Sequence, residues 1–187
     1  MTLAELGAGL GAGRQRAAAV SALAGVEAIL VWQVARSAAL AAFMYLGAVG
    51  VVTSVIDLRT HRLPDQVVLP SYPIVVALLA LAAGMEGRWW PLGRAALAMV
   101  LVAGFYLALG LAFSPGMGMG DVKLAGLVAL GLGWLGWPVL TTGVLAGWAL
   151  AALALLTRHA TKPARRGRPI ALGPWLCLGA LVAIGLR

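Results

Sequence analysis

Apolar residues in this chain gather into long runs separated by short polar stretches, and no internal repeat is visible. A helix crosses the hydrocarbon layer of a bilayer with about 20 predominantly apolar residues, roughly 17 to 25. Six runs approach that length: residues 38–56, 67–84, 94–113, 122–137, 139–157 and 170–186. A seventh, 17–35, is interrupted by Glu27 and Gln33. The pattern predicts an all-α fold, a polytopic transmembrane helical bundle of six to seven spans. Residues 1–16 read as an N-terminal cytoplasmic segment and 17–187 as the membrane domain. Pro64 and Asp65 mark a helix start, with Asp65 the expected cap of the span beginning near Val67. Pro70 and Pro73 are expected to kink that span early.

Composition excludes a water-soluble reading. Of 187 residues, 62% are hydrophobic and 11% charged, and mean hydropathy is +0.97. A soluble domain carries about a quarter of its residues as Asp, Glu, Lys or Arg. The formal net charge is +8, but the basic residues sit at the ends of apolar runs rather than in a stripe with interleaved aromatics, so nucleic acid is not the expected partner. The single cysteine, Cys177, excludes an internal disulfide framework and a multi-cysteine zinc site. His61 and His159 lack metal-ligand spacing, and no metal or cofactor is expected. The first 13 residues carry no basic region ahead of an apolar core, so a removable secretory signal is not expected.

Positive charge sets orientation, because cytoplasmic loops are enriched in Lys and Arg. The densest loop, 158–168, holds Arg158, Lys162, Arg165, Arg166 and Arg168 and is assigned to the cytoplasm. Two crossings back lies the loop 114–121, and two more back lies 57–65 with Arg59 and Arg62. An even number of spans separates these loops, so they share a face whether or not 17–35 inserts. Trp89 and Trp90 suit the opposite interface.

The chain has six acidic residues, and its three aspartates, Asp57, Asp65 and Asp121, all fall on that face. An ionisable residue at the edge of a span is a functional candidate, since charge at membrane depth is costly. Asp121 follows Gly116, Gly118 and Gly120, whose alternate spacing suits a loop that lays a substrate strand beside a carboxylate. Two neighbouring carboxylates can share one proton, one acting as general base on water and the other as general acid. With Asp57 closing one helix and Asp121 opening another, helix dipoles alone assign Asp121 as the base and Asp57 as the protonated partner. Asp57 and Asp121 are therefore the expected catalytic pair, with Gly118, Gly120, Pro64, Asp65 and Lys123 as substrate-binding or loop-shaping residues. Lys123, Arg59 and Arg62 also serve as topology determinants, and one of them is a candidate partner for an acidic substrate residue.

At these residues the chain resembles the type IV prepilin peptidases, membrane aspartic proteases with a Gly-x-Gly-Asp motif, here Gly118-Met119-Gly120-Asp121. Asp57 precedes Leu63-Pro64-Asp65 as in that family, and Ala171-Leu172-Gly173-Pro174-Trp175 is similar to its late Phe-Gly-Pro-Phe segment. The resemblance implies an aspartic endopeptidase of the bacterial inner membrane. Such an enzyme removes a short basic leader from prepilins or pseudopilins at the cytoplasmic face, after a glycine that precedes an apolar helix. Long members carry a cysteine-paired domain between the first two spans and methylate the new amine; with Cys177 alone, cleavage without methylation is expected. The competing readings are a preflagellin or presenilin-like aspartic protease, from whose Tyr-Asp motif Ile56-Asp57 departs, and a proton-coupled carrier or pilus-assembly subunit. A carrier is expected to hold its carboxylates near mid-membrane.

Overall fold

The structure, a computed structural model, describes residues 13–35, 37–60, 63–112, 118–161 and 172–187; for 13–17 and 158–161 only the backbone is considered. These residues form seven helices: α1 (Gly13–Val34), α2 (Leu40–Thr60), α3 (Asp65–Glu86), α4 (Trp90–Ala112), α5 (Met119–Leu135), α6 (Trp137–Thr161) and α7 (Gly173–Gly185). The all-α membrane bundle read from the sequence is the observed architecture. Of the expected residues, His61, Arg62, Gly116, Ala171 and the basic positions 162–168 lie outside the described residues, as do the side chains of Arg158 and His159.

Length divides the helices into two groups. Leu40–Thr60, Asp65–Glu86, Trp90–Ala112 and Trp137–Thr157 are long and apolar enough to cross a membrane. By contrast, α5 has 17 residues and α7 has 13, so the run 170–186 yields a helix shorter than expected. It starts at Gly173 with Pro174 in its first turn, where the missing N–H of proline costs nothing. Interrupted α1 is nevertheless helical, and its polar groups turn toward the bundle. Gln33 Nε2 donates to the Gly185 carbonyl at 3.0 Å, and Glu27 faces Gly47 of α2.

At the centre stands α5, packed against α4 along its length and touching α2, α3, α6 and α7 as well. Its residues from Leu124 to Leu127 and from Ala129 to Trp134 are all buried, as expected of a helix apolar on every side. Small residues permit the close approaches. A Cβ on Gly133 would meet Ala98 Cβ at 2.5 Å, and Gly179 of α7 lies so near Gly143 and Gly147 of α6 that a Cβ there would strike their backbone. Such close contact is how membrane helices gain packing energy where lipid removes the hydrophobic driving force.

Polar contacts mark the two ends of the bundle. At one end Glu86 Oε1 accepts from Ser37 Oγ and the Ala38 N–H, each at 3.1 Å. There Arg94 also donates to the Gly133 and Trp134 carbonyls at 2.7 and 2.6 Å, satisfying the open C-terminus of α5. At the other end stand Asp57, Asp65, Asp121 and Gly173, the common face that parity predicts. Gly126 of α5 stands level with Ala103 of α4; at 1.5 Å per residue, α4 continues about 14 Å beyond that level, whereas α5 covers only about 8 Å back to Asp121. Asp121 is thus recessed by about 6 Å relative to the end of α4.

Candidate active site

Asp57 lies one turn inside the C-terminal end of α2 and is 4% exposed. Its Oδ2 accepts the main-chain N–H of Gly173 at 3.0 Å. The reason is local: Leu172, at the N-cap of α7, offers no side-chain cap, so the first N–H groups of α7 need another acceptor. A helix N-terminus is a favourable site for negative charge. Glycine at 173 allows the close approach, because a Cβ there would sit 2.8 Å from Asp57 Oδ2 and 3.3 Å from Leu124 Cδ2 and would displace the carboxylate.

Asp121 occupies the first turn of α5, ahead of the apolar run that begins at Val122. Gly118 is the N-cap, extended at φ −74° and ψ 144°, and its carbonyl accepts the Asp121 N–H at 3.0 Å. Burial, and then the negative charge of Asp57, push the Asp121 carboxyl up to about 6, against the opposing pull of the Gly118 N–H. The two carboxylates therefore act on one another electrostatically, although they come from helices separated by two further spans. Helix ends alone placed the proton on Asp57. The α7 N-terminus, absent from that reasoning, places a main-chain donor on Asp57, while burial and the Asp57 charge raise the proton affinity of Asp121.

The Leu63-Pro64-Asp65 turn packs against the first turn of α5. Gly120 admits it, since a Cβ there would sit 2.7 Å from Leu63 Cβ. The expectation that Asp65 caps α3 is corrected: Pro64 holds the N-cap position without a side-chain cap bond. The Pro64 carbonyl takes the Val67 and Val68 N–H groups at 3.0 and 3.2 Å. Asp65 is the first residue of the helix, and its Oδ1 meets Lys123 Nζ at 2.7 Å. Lys123 therefore has an acidic partner within the chain. All seven expected site residues are drawn to the same end of the bundle.

Three contacts near the pair had not been expected. The Gly173 N–H had only the Gly-Pro dipeptide as a signal. Tyr72 donates its hydroxyl to the Lys123 carbonyl at 2.6 Å, fixing the first turn of α5 against α3; flanked by Pro70 and Pro73, it has no signature in the sequence. Tyr106, fully buried, lies within the electrostatic reach of Asp121 and accepts from Trp148 Nε1 at 2.7 Å. Among the described residues no three of His, Cys, Asp and Glu cluster as metal ligands.

Comparison with known proteins agrees with this picture. Residues 44–157, more than half of the chain, match the model of the type IV leader peptidase family. Three proteins named prepilin leader peptidase/N-methyltransferase are each 32% identical to it. The one from Stutzerimonas stutzeri aligns over 133 residues, 70% of this chain and 44% of that protein. The Escherichia coli K12 protein aligns over 151 residues, 78% and 62% respectively, and the Dickeya chrysanthemi protein over 176 residues, 90% and 58%. The chain thus spans about half the length of these relatives. No solved structure matches.

Proposed function

We propose, from the premise that this chain belongs to the type IV leader peptidase family, that it is an aspartic endopeptidase cleaving the leader from type IV prepilins or pseudopilins. One observation carries the mechanism: the buried Asp57, held by the N-terminus of α7, raises the proton affinity of Asp121. In the working form of the pair, which carries one shared proton, that proton sits on Asp121, whose proton affinity is raised, and Asp57 serves as the base. Asp57 removes a proton from a water as its oxygen bonds to the scissile carbonyl carbon, and Asp121 donates its proton to the carbonyl oxygen. Collapse of the tetrahedral gem-diol breaks the C–N bond: the leaving nitrogen takes the proton from Asp57, and one gem-diol hydroxyl returns its proton to Asp121 as the new carbonyl forms. The pair ends as it began.

The recess of Asp121 supports this reading, since a carboxylate pair below the rim is shielded from bulk water, which strengthens its electrostatic interactions. The position of the pair at one end of the bundle favours a protease over a carrier. Gly118, Gly120 and Pro64 shape the loop above the pair, while Asp65 and Lys123 form its edge. The basic positions at that end support a multi-pass topology in a bacterial inner membrane with the active site facing the cytoplasm. We confine the activity to cleavage, because the cysteine pairs that accompany methylation in the family do not occur in this sequence, which has one cysteine. The test is co-expression with a candidate prepilin and a gel-shift readout of leader removal. Wild type is expected to process the substrate and Asp57→Ala and Asp121→Ala are expected not to; processing by both variants would disprove the pair.

A further inference from the structure

Tyr106 of α4 is fully buried, and its ring packs with Val122 and Ala125 of α5 and Leu176 of α7. Gly133 meets Ala98 and Gly126 meets Ala103, so α4 and α5 run antiparallel in a register that places Tyr106 level with Lys123, about 3 Å below Asp121. Ala125 follows Asp121 by one turn and lies on the same face of α5. A hydroxyl in such apolar surroundings needs a partner, and Trp148 Nε1 of α6 donates to it at 2.7 Å. The two rings stand 5.9 Å apart. Helix α4 packs on α5 and, more lightly, on α3, so this bond reaches past α5 to a helix that α4 otherwise hardly meets.

Below the tyrosine, on the side away from Asp121, lies a cavity of about 10 Å³ lined by Val102, Val128, Leu132, Val144 and Leu176 among others. It has room for about one water, and an apolar lining of this kind stays dry. Water reaches Asp121 from the opposite side, where Met119 is 59% exposed.

We infer that Tyr106 is a positioning residue for the proposed reaction: bolted to Trp148, it seals the floor beneath Asp121 against water and keeps that carboxyl in the surroundings where it holds the shared proton. The inference rests on the proteolytic reading and adds to it the group that sets the state of Asp121 without touching the substrate. Burial is the larger of the two causes that raise Asp121, ahead of the Asp57 charge, and the Tyr106 floor contributes to that burial from the bundle side. The other titratable groups near Asp121 leave the floor to Tyr106. Asp57 comes from α2, Asp65 of α3 is paired with Lys123 of α5, Tyr72 of α3 donates to the Lys123 carbonyl, and Cys177 of α7 lies toward Asp57.

The experiment uses the full chain in lipid vesicles and reads kcat/KM for a candidate prepilin across the acid and neutral range. Tyr106→Ala opens the floor, and the alkaline limb is expected to move to lower pH by about one unit. Tyr106→Phe and Trp148→Phe remove the bolt but leave both positions filled by a ring. Each is expected to move the limb the same way by on the order of 0.3 unit, and the double variant no further than either single one. Phe43→Ala removes a ring that is 2% exposed, 14 residues before Asp57 on α2; it is expected to lower the melting temperature and leave the limb in place. A limb at the wild-type pH in both Tyr106→Phe and Trp148→Phe, or an equal displacement in Phe43→Ala, would overturn the seal, and these variants decide it even where Tyr106→Ala does not fold. Failure of wild type to cut the prepilin would overturn the proteolytic reading instead. The dependence of melting temperature on pH needs no substrate and is expected to show the same displacements, so it tests the seal separately.

Discussion

The main-chain N–H of Gly173 points at Oδ2 of Asp57 across 3.0 Å, linking two residues that are 116 positions apart in the chain. This bond gives the Asp57 carboxylate a main-chain donor, because the start of α7 offers its N–H and the positive end of its dipole to the end of α2.

Gly173→Ala tests that bond. The new Cβ would sit 2.8 Å from Asp57 Oδ2, so the carboxylate must move away from α7. Proteolytic turnover is expected to fall by about one to two orders of magnitude, the scale of losing one positioned electrostatic contact. Assays of kcat at saturating substrate, with a melting curve to show that the variant folds, would check this.

The Asp121 carboxyl, pushed up to about 6, fixes the pH behaviour. An exposed aspartate titrates near 3.9, so between about 4 and 6 the folded protein binds more protons than the unfolded chain. Stability therefore declines as pH rises through that window, and the full penalty is present above it. Asp121→Asn removes the penalty: its melting temperature is expected to exceed that of wild type at pH 8, with the gap closing below pH 4. For turnover, kcat/KM is expected to fall on the alkaline side as the pair loses its last proton near pH 6. In Asp57→Asn the melting-temperature profile should move its transition to lower pH, because the negative neighbour is gone.

Lys123 and Asp65 form an exposed pair, Asp65 being 58% exposed, and exposed pairs contribute roughly 0.2–1 kcal/mol. A double-mutant cycle on Asp65→Asn and Lys123→Met is expected to give a coupling in that range that shrinks with added salt. The inward contact from Tyr72 behaves differently. Tyr72→Phe leaves the Lys123 carbonyl without its 2.6 Å donor, and a loss of about 1 kcal/mol that is insensitive to salt is expected. Thermal unfolding at two ionic strengths separates the two cases.

Packing of α6 on α7 is tested at Gly179, where a side chain would strike the backbone at Gly143 and Gly147. Gly179→Val is expected to destabilise the protein by about 3 kcal/mol or more. Gly93 of α4 has open space around its Cβ direction, and Gly93→Ala is expected to stabilise by about 0.5–1 kcal/mol through helix propensity alone. Melting temperatures of the two variants should move in opposite directions.

The sequence determined the class of fold, because hydrocarbon forces apolar runs into helices whatever their neighbours. It also determined that Asp57, Asp65 and Asp121 share one end of the bundle, since parity needs only a count of crossings. The motif Gly118-Met119-Gly120-Asp121 was legible because a helix start and a close approach have local residue requirements. What depends on contact between distant segments was not legible. Asp65 looked like a cap until Pro64 took that position and Lys123 drew the carboxylate away. The two helix ends by themselves put the proton on Asp57. Only the tertiary structure brings α7 to Asp57, and a carboxylate's proton affinity depends on every charge and donor within a few ångströms, including those that arrive from the far end of the chain.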